Sequence, residues 1–310
     1  MNDFPGGIWP VMLTPFTEEG TVDYEALDCL TEWYIGKKVN GLFSVCQSSE
    51  MFCLTLEERR RIAERVVKRS GGRIPVIASG HISDSLDDQV EELKVMAGTG
   101  IDALILLTNR FAKRDEGDEI WIENARRVLK ELPADMKLGL YECPYPYKRV
   151  LSEKIIQWCV AQGNFYFLKD TSCDMENIRM KLRLLQNTDL KLYNANTATL
   201  LESLRDGADG YCGVMANMHP ELYRILYENR NEAYAEDLSG FLTISALIEK
   251  QLYPVNAKYY LSMAGVPIQL KSRMKDADQF TDTFKSEVRM LRRLSRRVYK
   301  QLMGATRDEE

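Results

Sequence analysis

The chain is predicted to be an α/β protein, a (β/α)8 TIM barrel followed by a C-terminal helical lobe. Short apolar runs alternate with segments of helical period through the first two thirds of its 310 residues, giving eight strands and seven helices. Several runs, such as Ala103-Leu104-Ile105-Leu106-Leu107, are apolar without alternation, as strands covered on both faces are. After about residue 218 the strand signal stops and only helical periods remain.

In chain order, the expected strands are residues 8–14, 41–46, 75–79, 103–107, 138–142, 166–169, 190–194 and 210–214. The helical segments between them are 23–37, 55–70, 85–98, 120–131, 152–161, 174–185 and 197–206. Gly98-Thr99-Gly100 and Gly207-Ala208-Asp209-Gly210 read as tight helix-to-strand turns with glycine at positive φ. A doubly wound open sheet shares the alternation, but it calls for a glycine-rich phosphate turn after the first strand. Here that strand ends in Thr14-Pro15-Phe16. Residues 219–229, 232–251, 253–264 and 276–303 read as helices, which divides the chain into a barrel over 1–220 and a lobe over 221–310. The arginine-rich stretch 285–300 reads as a solvated helix face or a subunit contact.

Composition narrows the function. Hydrophobic content of 45%, charged content of 28% and a net charge of -5 describe a globular chain whose main partner is neither nucleic acid nor an anionic membrane. No stretch approaches the length of a membrane span and the N-terminus lacks a secretory pattern, so a cytoplasmic enzyme is expected. The seven cysteines (29, 46, 53, 143, 159, 173 and 212) are odd in number and form no C-x-x-C pair, which points to reduced thiols. With only His81 and His219, a histidine-rich metal site is excluded, and the chemistry falls to lysine, tyrosine, hydroxyls and carboxylates.

A parallel barrel carries its active site at the C-terminal ends of its strands. Lys169 closes the run Asn164-Phe165-Tyr166-Phe167-Leu168-Lys169. A lysine there is costly unless neutral or paired, and a neutral amine is what attacks a ketone to form a Schiff base. The alternative is a strand-end lysine that reaches solvent or pairs with Asp170. Tyr141 ends the preceding strand, so its phenol could serve proton transfer beside Lys169, or it is a core tyrosine. Strand alternation turns Glu142 away from the interior if Tyr141 points in. Gln47-Ser48-Ser49 forms a polar turn after the second strand, whose amides and hydroxyls can cradle a carboxylate.

These clusters, with their order and separations, resemble the dihydrodipicolinate synthase / N-acetylneuraminate lyase family. The resemblance spans most of the chain: Leu13-Thr14-Pro15-Phe16 with Glu19-Gly20-Thr21-Val22-Asp23, Leu54-Thr55-Leu56-Glu57-Glu58-Arg59, Arg73-Ile74-Pro75-Val76-Ile77-Ala78, Tyr141-x-x-Pro144, residues 207–210, and Ala257-Lys258 with Gly265. It implies Lys169 as the Schiff-base lysine and Tyr141 as the proton-shuttling tyrosine. It implies a substrate group of Ser48, Gln47, Ser49, Arg110 and Cys212 around a pyruvate-like 2-keto acid. No metal or organic cofactor is expected, and a homo-oligomer, dimer or tetramer, is.

The departures bear on substrate. The family's Gly-Thr-Thr/Ser-Gly-Glu stands here as Cys46-Gln47-Ser48-Ser49-Glu50, so the first hydroxyl has become an amide, a poor proton carrier. Arg110 occupies the stretch where the family usually places a tyrosine that crosses to the neighbouring subunit. There it either anchors a second carboxylate or makes an interface ion pair. Pro146 stands where dihydrodipicolinate synthases carry an arginine, and residues 194–198 lack the carboxylate of sialic-acid lyases. The reading is therefore a class I aldolase or lyase of open substrate. A sugar-acid dehydratase on the same lysine and a non-catalytic keto-acid-binding paralogue are the alternatives.

Overall fold

The computed structural model describes residues 4–305. Eight parallel strands form the barrel: β1 (Gly7–Ile8), β2 (Leu42–Val45), β3 (Val76–Ala78), β4 (Ala103–Leu107), β5 (Leu138–Tyr141), β6 (Phe165–Asp170), β7 (Lys191–Asn194) and β8 (Gly210–Tyr211). The ladder runs β1-β8-β7-β6-β5-β4-β3-β2. A parallel bridge between Val11 and Phe43 closes it, with Phe43 N–H donating to Pro10 O (3.0 Å) and Met12 N–H to Phe43 O (2.9 Å). The first strand is much shorter than the expected 8–14. Pro10 has no N–H to give a neighbour, so the regular ladder stops before it and resumes as the single bridge at Val11.

The barrel helices are α1 (Tyr24–Gly36), α2 (Leu56–Ser70), α3 (Leu86–Ala97), α4 (Asp118–Leu129), α5 (Glu153–Gln162), α6 (Met175–Leu185), α7 (Leu200–Arg205) and α8 (Pro220–Glu228), the last packed against β8 and β1. Asp23, Thr55, Ser85, Ser152 and Asp174, at the starts of the expected segments, are N-caps whose side chains accept from the first-turn amides. The Thr55 and Glu58 side chains make a reciprocal capping box. Gly100 (φ +82°) and Gly207 (φ +106°) occupy the positive-φ turns expected of them. α7 starts three residues later than the periodicity suggests, because Asn194 and Asn196 draw Thr199 into a polar turn.

Beyond the barrel, α9 (Ala235–Ser245), α10 (Val255–Met263) and α11 (Asp282–Ala305) complete the chain. The segment expected as one helix over 232–251 is α9 followed by a 3-10 stretch, Ala246–Lys250. Among the described residues no helix is long and apolar enough to cross a membrane.

Aromatic rings fill the barrel. Phe167 stacks on Tyr193 with ring centroids 4.1 Å apart, and Trp9 meets Phe167 edge-on at 5.0 Å. Outside it, a buried charge cluster joins β5 and β6 to α6. Lys181 reaches from α6 to Glu142 Oε1 (2.5 Å) and to Asp170 Oδ2, all three side chains fully buried. Glu142 also accepts from the amides of Leu151 (2.8 Å) and Thr171 (2.9 Å). Burial pushes the Glu142 carboxyl above its usual range, and Lys181 partly offsets this.

Both histidines are buried and structural. His81 accepts the Leu107 amide at Nε2 (2.6 Å) and contacts Gln89, while His219 Nδ1 contacts Ser295 Oγ (2.8 Å). Burial lowers their pKa values to about 4 and about 3 from 6.5. The unfolded chain therefore binds more protons as pH falls below 6.5, and stability contributed by these sites is lost toward pH 4. Urea titrations should register their loss as about 3–4 kcal/mol between pH 7 and 5. A His81→Gln chain, which keeps an acceptor but does not titrate, should show about half that slope; an unchanged slope would contradict the assignment.

Lys181→Met removes the cation that pairs with both buried carboxylates. It should cost about 3–5 kcal/mol near neutral pH. The deficit should shrink as pH falls and the orphaned carboxylates take up protons. Denaturant midpoints at pH 8 and pH 5 check both statements.

Candidate active site

The register places Tyr141 on β5 directly opposite Lys169 on β6. Lys169 is 4% exposed, and its Nζ lies 4.4 Å from the Tyr141 ring centroid and 5.8 Å from that of Phe43. Among the described residues no carboxylate comes within ion-pairing distance of it. The neighbouring Asp170 faces the other side of the sheet and pairs with Lys181 instead. Glu142 likewise faces outward while Tyr141 faces in.

Three neutral thiols stand near this amine. Burial pushes Cys143 up to about 11 and Cys212 up to about 12, and raises Cys46 as well; the Lys169 charge opposes each shift. Burial likewise holds the Tyr141 phenol well above its ordinary range, with the nearby thiols adding to the effect. Tyr141 is therefore a proton donor at neutral pH.

After β2 the chain makes a 3-10 turn, Gln47–Ser49, in which the Ser49 hydroxyl accepts from Cys46 N–H (2.6 Å) and donates to Cys46 O (2.7 Å). Its carbonyl accepts the Thr14 hydroxyl at 2.7 Å. Glu50 follows in the left-handed region (φ +60°) with its carboxylate fully buried. One oxygen pairs with Lys258 Nζ (2.8 Å); the other accepts from Ser272 Oγ (2.8 Å), Arg273 N–H (2.7 Å) and Met274 N–H (3.0 Å). Glu50 thus ties the turn to the 272–274 segment, which brings Met274 and Lys275 over the strand ends.

The result is a cleft of about 390 Å³ lined by Gln47, Ser48, Tyr141, Lys169 and Tyr253, with Lys148, Asn196, Glu249 and Lys275 on other walls. Lys148 Nζ donates to Thr171 O at 2.6 Å. Gln47 Oε1 lies 3.4 Å from Cys143 Sγ. A larger groove of about 700 Å³ flanks the arginines of α11, and none of these residues reaches it.

Of the residues singled out in the sequence, four share the cleft: Lys169, Tyr141, Gln47 and Ser48. Cys212 is buried beside Lys169 without lining it, and the Ser49 hydroxyl is engaged with its own turn. Arg110 sits in a separate depression, bound to Asp84 (2.9 Å) with its guanidinium 5.6 Å from the Phe52 ring centroid. Tyr253 and Lys148 escaped notice, since one precedes a helix remote in sequence from every strand and the other lies in a loop. Among the described residues no group of three or more His, Cys, Asp or Glu side chains is placed to hold a metal ion.

A family model, the Dihydrodipicolinate synthetase family, matches residues 4–289. The 4-hydroxy-tetrahydrodipicolinate synthase of Shewanella pealeana is 26% identical over 244 residues, 79% of this chain and 80% of that protein. The Bacillus subtilis protein of that name is 24% identical over 276 residues, 88% and 90% of the two chains. CdNal from Clostridium difficile, solved in complex with mannosamine, has a TM-score of 0.81 at 23% identity, covering 94% of this chain and 99% of its own. The dihydrodipicolinate synthase from Acinetobacter baumannii, complexed with pyruvate, has a TM-score of 0.81 at 21% identity with the same coverage. With the model spanning nearly its whole length, the chain belongs to the dihydrodipicolinate synthetase family.

Proposed function

We propose that this chain is a class I aldolase or lyase that forms an imine between Lys169 and the ketone of pyruvate or a related 2-keto acid. The observation that carries this reading is a buried lysine with no carboxylate partner among the described residues, opposite a protonated tyrosine, in a cleft of substrate size. The neutral amine adds to the C2 carbonyl, and the carbinolamine then expels water to leave a protonated imine. Tyr141 supplies the proton to the departing hydroxyl. The imine is an electron sink, so the electron pair released when the C3–C4 bond breaks is held as an enamine. Ser48 and the amides of its turn hold the keto-acid carboxylate. Lys148, Asn196 and Lys275 face the remainder of the substrate.

Reduction with borohydride in the presence of pyruvate, followed by peptide mass spectrometry, tests this reading. A reduced pyruvyl adduct is expected on the peptide carrying Lys169 and should be absent from Lys169→Ala. Tyr141→Phe should still form the adduct but turn over roughly 10²–10⁴-fold more slowly. Folded protein that traps neither pyruvate nor larger 2-keto acids would instead be a non-catalytic paralogue.

A further inference from the structure

The arginine-rich stretch of the sequence forms one face of α11, and the cleft around Lys169 makes no use of it. Arg289, Arg292, Arg293, Arg296, Arg297 and Lys300 recur at helical spacing and line a single groove of about 700 Å³. The other face of the helix is the packed one, with Val288, Leu291 and Ser295 buried. Arg289 donates to the Tyr259 hydroxyl at 2.9 Å. Among the described residues no carboxylate pairs with any of the six. Other surface arginines of this chain behave differently: Arg65, Arg73, Arg179 and Arg205 each meet a carboxylate.

The positive charge continues past the groove. Arg296 and Lys300 also line an adjoining depression of about 450 Å³, together with Lys37, Lys38 and Arg224. The one carboxylate in its lining, Glu221, is held by Lys37 at 2.9 Å. The chain as a whole carries a net charge of -5, so this concentration of cations runs against its composition.

Such a face destabilises its own helix. Each of the six cations has another three or four positions along, and like charges at that spacing repel. A bound anion relieves the repulsion, and the residue type narrows which anion. Five of the six are arginines, whose planar fork binds phosphoryl oxygens through paired hydrogen bonds. From Arg289 to Lys300 the face runs about 16 Å, more than one phosphate covers. Among the described residues no aromatic side chain lines the groove to stack on the bases of a nucleic-acid strand. A second copy docked here about a two-fold axis would set arginine against arginine.

We propose that the α11 groove is a binding site for a small anion carrying several phosphoryl groups, an inorganic oligophosphate or a nucleoside triphosphate, with Arg293 and Arg297 among its ligands. The site is separate from the Lys169 cleft, so the inference holds whether or not the imine forms.

Calorimetric titration of the full chain with inorganic tripolyphosphate, and separately with ATP, tests this at about 0.15 M salt without divalent metal. Saturable binding with a Kd below about 100 µM is expected. It should be unchanged in Lys169→Ala, which removes the cleft amine. Arg293→Gln combined with Arg297→Gln should weaken binding about 10- to 100-fold. The same pair relieves like-charge contacts, so the melting temperature should not fall. Arg126→Gln combined with Arg183→Gln removes equal charge from exposed positions outside the groove and should change affinity less than about twofold. ATP binding as tightly as tripolyphosphate places recognition on the phosphates alone, and tighter ATP binding identifies a nucleotide as the source; both support the site. Three results would overturn it: no saturable binding of either anion, equal weakening in the control pair, or tighter binding of a single-stranded oligonucleotide or a polyglutamate peptide.

Discussion

Lys181 sits between Glu142 and Asp170 behind the barrel wall, and the geometry of the site depends on it. In a strand, neighbouring side chains point to opposite faces, so a carboxylate held outside dictates what lies inside. Glu142 held outward leaves Tyr141 inward, and Asp170 held outward leaves Lys169 inward. A slip of one residue would bury a carboxylate in the aromatic interior and expel Tyr141 from β5 or Lys169 from β6. The cluster carries two carboxylates for one ammonium, an expensive arrangement to bury. Backbone amides of Leu151 and Thr171 share in satisfying it. Such an interaction contributes little net stability over an apolar substitute.

A second buried pair does similar work across the mouth of the barrel. Glu50 adopts a backbone conformation unusual for a side chain of its size, and the cost is offset by three hydrogen bonds and the Lys258 charge. The turn that carries Ser48 is thereby set at the cleft wall. Site and scaffold are continuous here, because the residues lining the cleft are oriented by partners that never touch it.

Much of this was legible in the sequence. The alternation of apolar runs and helical periods gave the barrel, and Asp23, Thr55, Ser85, Ser152 and Asp174 marked helix starts because their side chains compete for the first-turn amides. Lys169 stood out as a charge closing an apolar strand, and the direction of Glu142 followed from alternation alone. What escaped has physical reasons. Pro10 shortens β1 by withholding one donor, an effect that depends on which neighbour needs it. The pairing of Asp170 with Lys181 depends on how α6 docks, which periodicity does not specify. The engagement of Ser49 with Cys46, and of Arg110 with Asp84, depends on rotamers that a spacing cannot show. Tyr253 enters the cleft from a segment more than eighty residues beyond the last β6 position, without any local pattern to flag it.

The Glu50–Lys258 contact also bears on modularity. The carboxylate belongs to the turn after the second strand, while its cation and three of its donors come from residues 258–274. A barrel severed from those residues would lose the partners that hold Glu50 in its left-handed conformation, and the turn that presents Ser48 would lose one of its anchors. These contacts couple the turn after β2 directly to the segment that follows α10. During synthesis the site is completed only once residues 258–274 have emerged.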